Sequence, residues 1–348
     1  MKYKVGIIGK LGAKENWYDG QTIKTKNLAM LLENTGECSI VTADTCYFRR
    51  KNVKLMLDTL KCMLTCKHIF LLVSVNGMNF YLPFLYYLNK ITHRRIYHYI
   101  IGSELLEMVA KNPKLVKYLN ALDANWFEYD SGTRYLESQG VTNVTTLPNF
   151  KVIQPMENAM PYNAENGVFR YCTFSRVMEE KGITDAINAI RAINESQGKI
   201  VAALDIYGQI EPSYEEKLKV LVAENSDFVT YGGIVDSQGS VEVLKNYYAL
   251  LFPTYWVGEG LPGTVVDAFA ASLPVIATDW NANSEIIEHN KQGIIYPNGN
   301  IKSLKDAIEW SINHTDIMAK MRIESRAAFN RYTPNEVLKV ILEQMNKK

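Results

Sequence analysis

Apolar residues in this chain gather in short unbroken runs, each closed by glycine, proline or a polar turn. Runs at residues 4–9, 39–43, 69–75, 96–101, 125–129 and 144–147 occupy the first half. A second series follows at 169–174, 201–207, 228–231, 248–252, 274–278 and 293–296. Runs of this length without polar alternation predict strands buried on both faces. Between several of them the apolar spacing changes to that of a helix, at residues 23–33, 53–66, 184–195, 264–271, 301–312 and 317–332. Thr333-Pro-Asn-Glu opens a last amphipathic helix that runs to about residue 345. Strands alternating with helices predict an α/β chain.

The alternation pauses once. Residues 154–167 are polar, contain Pro155 and Pro161, and read as a linker. With 348 residues, two domains are expected. The N-terminal one covers 1–150 and the C-terminal one 165–332.

Composition narrows the picture. The most apolar stretch, 69–88, is broken by Asn76, Gly77, Asn79 and Pro83, so it predicts a strand, a turn and a buried helix and no membrane span. The N-terminus enters a strand directly and reads as no signal peptide. Five cysteines form no paired metal-binding doublets, and Cys62-x3-Cys66 falls on a helical pattern as small core residues. An odd count without a signal peptide fits a reducing cytosol. The net charge of +1 hides an asymmetry. Residues 1–150 carry 19 Lys and Arg against 12 Asp and Glu, a net of +7, and the remainder 19 against 25, a net of −6. A basic first half predicts either an anionic partner or ordinary solvated lysines. Arg49-Arg50-Lys51 leads into helix 53–66, where Leu55, Met56, Leu60, Met63 and Leu64 alternate with Lys54 and Lys61, a pattern shared by anionic-membrane helices and plain surface helices. Nucleic acid is disfavoured, because the basic residues are not interleaved with a stacking platform.

The chemistry concentrates in Phe252-Pro-Thr-Tyr-Trp-Val-Gly-Glu-Gly-Leu-Pro-Gly-Thr-Val-Val-Asp-Ala-Phe-Ala. Strand, Gly- and Pro-punctuated loop and short apolar helix succeed one another, and the free N–H groups at such a helix start favour an anion. Glu259 in the loop and Asp267 in the first helical turn flank that anion site. A carboxylate beside a phosphate suits neutral hydroxyls, those of a ribose or a sugar. Thr264 as an N-cap with Asp267 three residues on is the competing reading, a capping box. Earlier, Ser175-Arg176-Val-Met-Glu-Glu-Lys181-Gly182 follows a strand end, and two cations five residues apart can clamp a diphosphate. The loop after the first strand lacks G-x-G-x-x-G, which weakens a nicotinamide role.

Glu259-x7-Asp267 within Gly-Glu-Gly-Leu-Pro-Gly-Thr-Val-Val-Asp resembles the E-x7-E signature of family 4 retaining glycosyltransferases, with Asp where the family usually has Glu. Residues 175–182 resemble that family's G-R-x-x-x-x-K-G element, with Ser175 in place of Gly. The likeness spans the chain and is specific from about 169 to 297. It implies the GT-B fold, two Rossmann-like domains facing across a cleft, with the helix at 333–348 packed back on the first. It implies transfer of a sugar, with retention, from a nucleotide-diphosphate donor to a saccharide or lipid-linked saccharide; a UDP-sugar is the expected donor. By the same resemblance Arg176, Lys181 and the N–H groups near Thr264 and Val265 hold the diphosphate, Glu259 the donor sugar and Asp267 the ribose. Gly260, Leu261, Pro262 and Gly263 form the binding loop, Gly208, Gly233 and Ile234 line the base pocket, and Gly20, Gln21, Thr22 and Lys24 face the acceptor or the diphosphate. His98 lies inside its strand, away from the strand end where relatives carry a functional histidine, and reads as a core histidine. No Asp-x-Asp occurs in the chain, so neither metal nor cofactor is expected. The setting implied is cytoplasmic, at or near the inner membrane leaflet, in surface-polysaccharide synthesis. A nucleotide-sugar isomerase and a non-catalytic nucleotide-sugar binder are the alternatives.

Overall fold

Twelve strands and fourteen α-helices alternate along the described chain, and every strand pairing is parallel. The structure, a computed structural model, describes residues 3–12, 19–47 and 52–347. Loop residues 13–18 and the Arg49-Arg50-Lys51 run lie outside the described residues.

The chain divides into two units, residues 1–152 with 333–348, and residues 153–332. The first runs β1 (Tyr3–Gly9), α1 (Gly20–Asn34), β2 (Cys38–Asp44), α2 (Asn52–Thr65), β3 (His68–Leu72), α3 (Val75–Thr92), β4 (Arg95–Tyr99), α4 (Glu104–Lys111), α5 (Lys114–Leu119), β5 (Ala124–Phe127), α6 (Asp130–Ser138) and β6 (Val144–Thr146). Its sheet order is β2-β1-β3-β4-β5-β6. Right-handed crossovers put α1 on one face and α2 to α6 on the other.

The second unit runs β7 (Phe169–Phe174), α7 (Ile183–Gln197), β8 (Ala202–Tyr207), α8 (Glu215–Glu224), β9 (Val229–Gly233), α9 (Ser240–Leu244), β10 (Ala249–Phe252), α10 (Gly263–Ala270), β11 (Val275–Thr278), α11 (Asn283–Ile286), β12 (Gly293–Tyr296), α12 (Ile301–Asn313) and α13 (Thr315–Ala328). Its order, β12-β11-β10-β7-β8-β9, is the doubly wound arrangement whose strand order reverses between β7 and β10. The last helix, α14 (Pro334–Asn346), buries Val337, Ile341 and Met345 in the core of the first unit.

Each core is built from within its own unit. In the first, Tyr97 stacks on Trp126 with centroids 5.4 Å apart, among Val5, Ile7, Phe70 and Leu28. In the second, Ile183, Ile187 and Ile190 of α7 pack on Leu204 and Ile206 of β8. These strands are β-branched or aromatic and buried on both faces, which is why their sequence shows runs and not alternation.

Some expectations shift. Residues 76–83 are helical: α3 starts at Val75 and carries Pro83 inside it. Its inner positions Met78, Tyr81, Leu82 and Leu85 are buried while its outer face is exposed, so tertiary packing overrides poor local propensity. Helices α4, α5 and α8, where the sequence shows only short patterns, are also present. Gly20 and Gln21, expected in a loop, form the first turn of α1 behind the N-cap Asp19. Lys24 is buried, its ammonium 2.7 Å from both the Ile100 carbonyl and a Glu128 carboxylate oxygen and over the Tyr99 ring. Burial lowers its pKa and Glu128 counteracts. That lysine is a structural ion pair, not an open anion contact.

Candidate active site

Loops leaving β7 and β10 flank the point where the second sheet reverses its strand order, at the carboxyl ends of the strands. The two loops are joined along their backbones. Tyr255 N–H donates to the Glu180 carbonyl (2.9 Å), and the Thr254 hydroxyl approaches the same carbonyl (3.3 Å). Gly182 makes the close approach possible. It turns at φ 70°, and a Cβ there would lie 2.2 Å from the Pro253 carbonyl oxygen. This contact carries Lys181, the last residue of a 3-10 turn, into the β10 loop.

Lys181 and Glu259 form a buried ion pair. The same Glu259 oxygen, Oε2, accepts the Thr254 hydroxyl at 3.0 Å. The other oxygen, Oε1, has no partner among the described residues. Asn281 Nδ2 fixes the Glu259 carbonyl at 3.1 Å, and Trp280 Nε1 holds the Trp256 carbonyl at 2.8 Å. Arg176 lies over the Trp256 ring at 5.2 Å. It also lines an open pocket of about 450 Å³ with Glu179, Glu180 and Glu211. Lys217, paired with Glu179, lines it as well.

Behind the loop, α10 begins at Gly263, so Pro262 is its N-cap and Thr264 is not. The Val265 N–H, expected to be open, is taken by the Pro262 carbonyl at 3.0 Å. The Gly263 and Thr264 N–H groups donate to no described backbone carbonyl, and the Thr264 hydroxyl is buried without a partner. Three donors at one helix start thus lack acceptors, which is the condition for binding an anion. The capping-box reading fails here, since the Thr264 hydroxyl caps nothing. Asp267 starts the second helical turn, one residue beyond the expected place, and is buried. Its Oδ1 accepts the Ser240 hydroxyl at 3.1 Å, and Ser240 opens α9.

Gly208 and Gly233 follow or end β8 and β9. Gly208, at φ 134°, packs so tightly that a Cβ would sit 1.8 Å from the Ser175 carbonyl oxygen. Its N–H goes to the Gly233 carbonyl (2.9 Å) and its carbonyl accepts the Tyr231 hydroxyl (2.8 Å). The Gly208 N–H is therefore taken within the fold, and its close packing joins the ends of β7 and β8. Ile234 is exposed just beyond. Gly260, Leu261 and Pro262 are buried in the β10 loop. Gly20 and Gln21 belong to the first unit, where Gln21 Nε2 donates to the Leu72 carbonyl at 3.3 Å. Sequence reasoning missed Thr254, Ser240, Trp256 and Asn281. Of these only Trp256, an aromatic in a glycine-bearing loop, carries a signal that the sequence offers.

His98 is buried, with Nδ1 3.2 Å from Asn125 Oδ1, inside β4. No group of three or more His, Cys, Asp or Glu able to hold a metal ion occurs among the described residues. Among them, too, no helix is long and apolar enough to cross a membrane.

The model of the family "Glycosyl transferases group 1" matches residues 159–334. The amylovoran biosynthesis glycosyltransferase AmsK of Erwinia amylovora is 26% identical over 188 residues, 51% of this chain and 45% of that protein. The capsular polysaccharide biosynthesis glycosyltransferase CapM of Staphylococcus aureus is 24% identical over 171 residues, 49% of this chain and 43% of that one. The chain spans about half the length of the curated relatives it matches. Among solved structures, Anabaena HepE in complex with UDP superposes with a TM-score of 0.72 at 13% identity, covering 98% of this chain and 99% of that one. Sucrose-phosphate synthase from Thermosynechococcus elongatus gives 0.74 at 14% identity, covering 99% of both. At such identities the structures speak to the fold alone: a two-domain α/β architecture of the GT-B type. The family model covers just over half of the residues and all the strands of the second unit, and the chain belongs to the glycosyl transferases group 1 family.

Proposed function

We propose that this protein transfers a sugar from a nucleotide-diphosphate donor to a hydroxyl of a saccharide, in the synthesis of a surface polysaccharide. The observation that carries the reading is the juxtaposition of Lys181, Glu259 and the open start of α10 at the strand-order reversal. In transfer from such a donor, negative charge grows on the departing diphosphate. A cation and fixed N–H dipoles aimed at that charge lower the barrier because they need no reorganisation. Lys181, Arg176, and the Gly263 and Thr264 N–H groups supply them here. Glu259 Oε1, free beside the paired Oε2, is the acceptor for a donor-sugar hydroxyl, and Asp267, held by Ser240, is the acceptor for the ribose. With the diphosphate bound, Lys181 shifts from Glu259 towards phosphate and Glu259 turns wholly to the sugar.

In this reading the reaction retains anomeric configuration, as in family 4, and needs no metal, since side-chain and backbone donors carry the charge. UDP is the expected nucleotide; HepE was crystallised with UDP and with UDP-glucose. The names of AmsK and CapM place those relatives in polysaccharide assembly and support a saccharide acceptor for this chain, free or carried on a polyprenyl pyrophosphate. The first unit is the acceptor side and residues 153–332 the donor side.

Calorimetric titration with UDP, GDP and ADP, without added metal, tests the site. One diphosphate is expected to bind wild type, and Lys181→Ala is expected to weaken it by about 1.5–3 kcal/mol, the scale of a charge-assisted hydrogen bond. If none binds, or if a folded Lys181→Ala protein binds equally well, the diphosphate site is wrong. Nucleotide binding with neither transfer nor donor hydrolysis, unchanged by Glu259→Ala, would make the protein a binder and not an enzyme.

A further inference from the structure

Helices α2 and α3 lie side by side on one face of the first sheet, tied at two places. The Thr59 hydroxyl is 3.3 Å from the Tyr81 hydroxyl, and Arg94 donates to the Met63 and Leu64 carbonyls at 2.7 and 3.0 Å. The apolar stripe read from the sequence of α2 turns largely inward: Leu55 and Met63 are buried. What faces out is a second stripe, Val53, Leu57 and Leu64, interleaved with Lys54 and Lys61. On α3 the positions four, seven and eleven residues apart from Phe80 are Phe84, Tyr87 and Ile91, one helical face. Phe80 stacks on Phe84 at 5.4 Å, and Lys90 sits over Tyr86 and Tyr87 at 4.8 and 5.5 Å.

Exposed apolar side chains scattered singly mean little, but a contiguous patch does. Of fourteen large apolar side chains exposed among the described residues, six fall on these two helices: Val53, Leu57, Leu64, Phe80, Tyr87 and Ile91, the last 79% exposed. Between residues 52 and 95 the chain carries six Lys and Arg and a single acid, Asp58, which pairs with Lys54. A protein interface of this area would be poor in lysine. Lysines alternating with apolar residues and flanked by tyrosines suit the boundary between acyl chains and anionic headgroups, where the apolar tips enter and the ammonium groups stay at phosphate level.

We propose that the outer face of α2 and α3 is a docking surface for an anionic lipid bilayer, on which the protein lies without spanning it. The inference is independent of the transfer reading, since none of these residues belongs to the site in the second unit. Flotation of the full chain with vesicles tests it, using phosphatidylcholine alone and phosphatidylcholine mixed with phosphatidylglycerol. Binding is expected only to the anionic vesicles and is expected to fall in high salt. Lys61→Ala with Lys90→Ala, both exposed on this face, should weaken it about 25-fold, near fivefold for each charge at an anionic leaflet. Leu57→Ser, Tyr87→Ser and Ile91→Ser together should weaken it at least about tenfold, at exposed positions that leave the circular-dichroism melt unchanged. Absence of binding to anionic vesicles, equal binding to neutral ones, or binding unaffected by either set would overturn the proposal. So would a dimer in sedimentation that the triple substitution disperses, since the face would then belong to a second copy.

Discussion

Lys181 and Glu259 are each nearly inaccessible, and each is the other's counter-charge. Removing one member of a buried pair leaves an uncompensated ion and costs about 3–5 kcal/mol. Glu259→Gln spares this partly, because Thr254 still donates to the remaining oxygen. Its expected signature is weakened binding of a nucleotide-sugar with nearly unchanged binding of the bare nucleotide, read by paired titrations. Gly182→Ala is expected to be far more damaging than an ordinary surface change. It combines a left-handed φ with a clash against the Pro253 carbonyl, so a loss of at least about 2–3 kcal/mol in denaturant melts is expected. Both charged partners were legible because each sits in a contiguous motif with a recognisable spacing. Ser240 was not, since a hydroxyl that supports a carboxylate 27 residues away leaves no local pattern, and Thr254, five residues from Glu259, has a spacing that marks no motif.

The same scale holds a pH prediction. Burial lowers the pKa of His98 from 6.5 to about 4; its hydrogen bond to Asn125 works against this and the Lys24 charge adds to it. The unfolded chain takes up this proton near pH 6.5, the folded chain only near 4. The contribution of His98 is therefore complete above pH 6.5 and is lost as the pH falls towards 4, up to about 3 kcal/mol at the lower end. Equilibrium unfolding at pH 7.5, 5.5 and 4.5 should show this decline, and His98→Asn should flatten it. An unchanged slope in the variant would assign the acid sensitivity to other groups.

At the scale of elements, α10 and α3 show what sequence can and cannot carry. The strand, loop and short helix around Gly263 were legible because apolar runs and glycine and proline punctuation agree there, and the helix start moved by one residue only. That one residue mattered: it took Thr264 out of the capping role and left its hydroxyl, with two N–H groups, without acceptors. Helix α3 was misread in its first turns because Asn76, Gly77, Asn79 and Pro83 all disfavour a helix. Burial of Met78, Tyr81, Leu82 and Leu85 outweighs them, a balance that local propensity cannot see. The contact between α9 and α10 gives a test. Ser240→Ala removes the hydroxyl that orients Asp267, and nucleoside diphosphate binding should weaken by about 1 kcal/mol, with the corresponding ribose-lacking phosphate, pyrophosphate, unaffected. Loss of pyrophosphate binding as well would mean that the substitution disturbs the α10 start and not the ribose contact.

At the scale of the whole molecule, the two units are unequal in what their sequence declares. The second has the strand order and motifs of a nucleotide-binding sheet; the first carries its signals as charge and exposed apolar surface, which sequence periodicity blurs because both faces of α2 look amphipathic. The first unit also takes its last element from the far end of the chain. Val337, Ile341 and Met345 of α14 are almost fully buried against the first core, and the Tyr3 hydroxyl reaches Asn346 Oδ1 at 2.6 Å. Three such side chains at about 1.5–3 kcal/mol each amount to roughly 5–9 kcal/mol, comparable with the whole stability of a domain. Deleting residues 334–348 should therefore unfold the first unit, while residues 153–332 keep a core that needs nothing from α14. A truncated protein should then show protected amides in β7 to β12 and none in β1 to β6 by hydrogen exchange. It should still bind the nucleotide if the proposed site is right, because every residue proposed for the donor lies in the second unit. Exchange that leaves β1 to β6 protected would show that the first unit closes its core without α14, and loss of nucleotide binding would show that the donor site draws on more than its own unit.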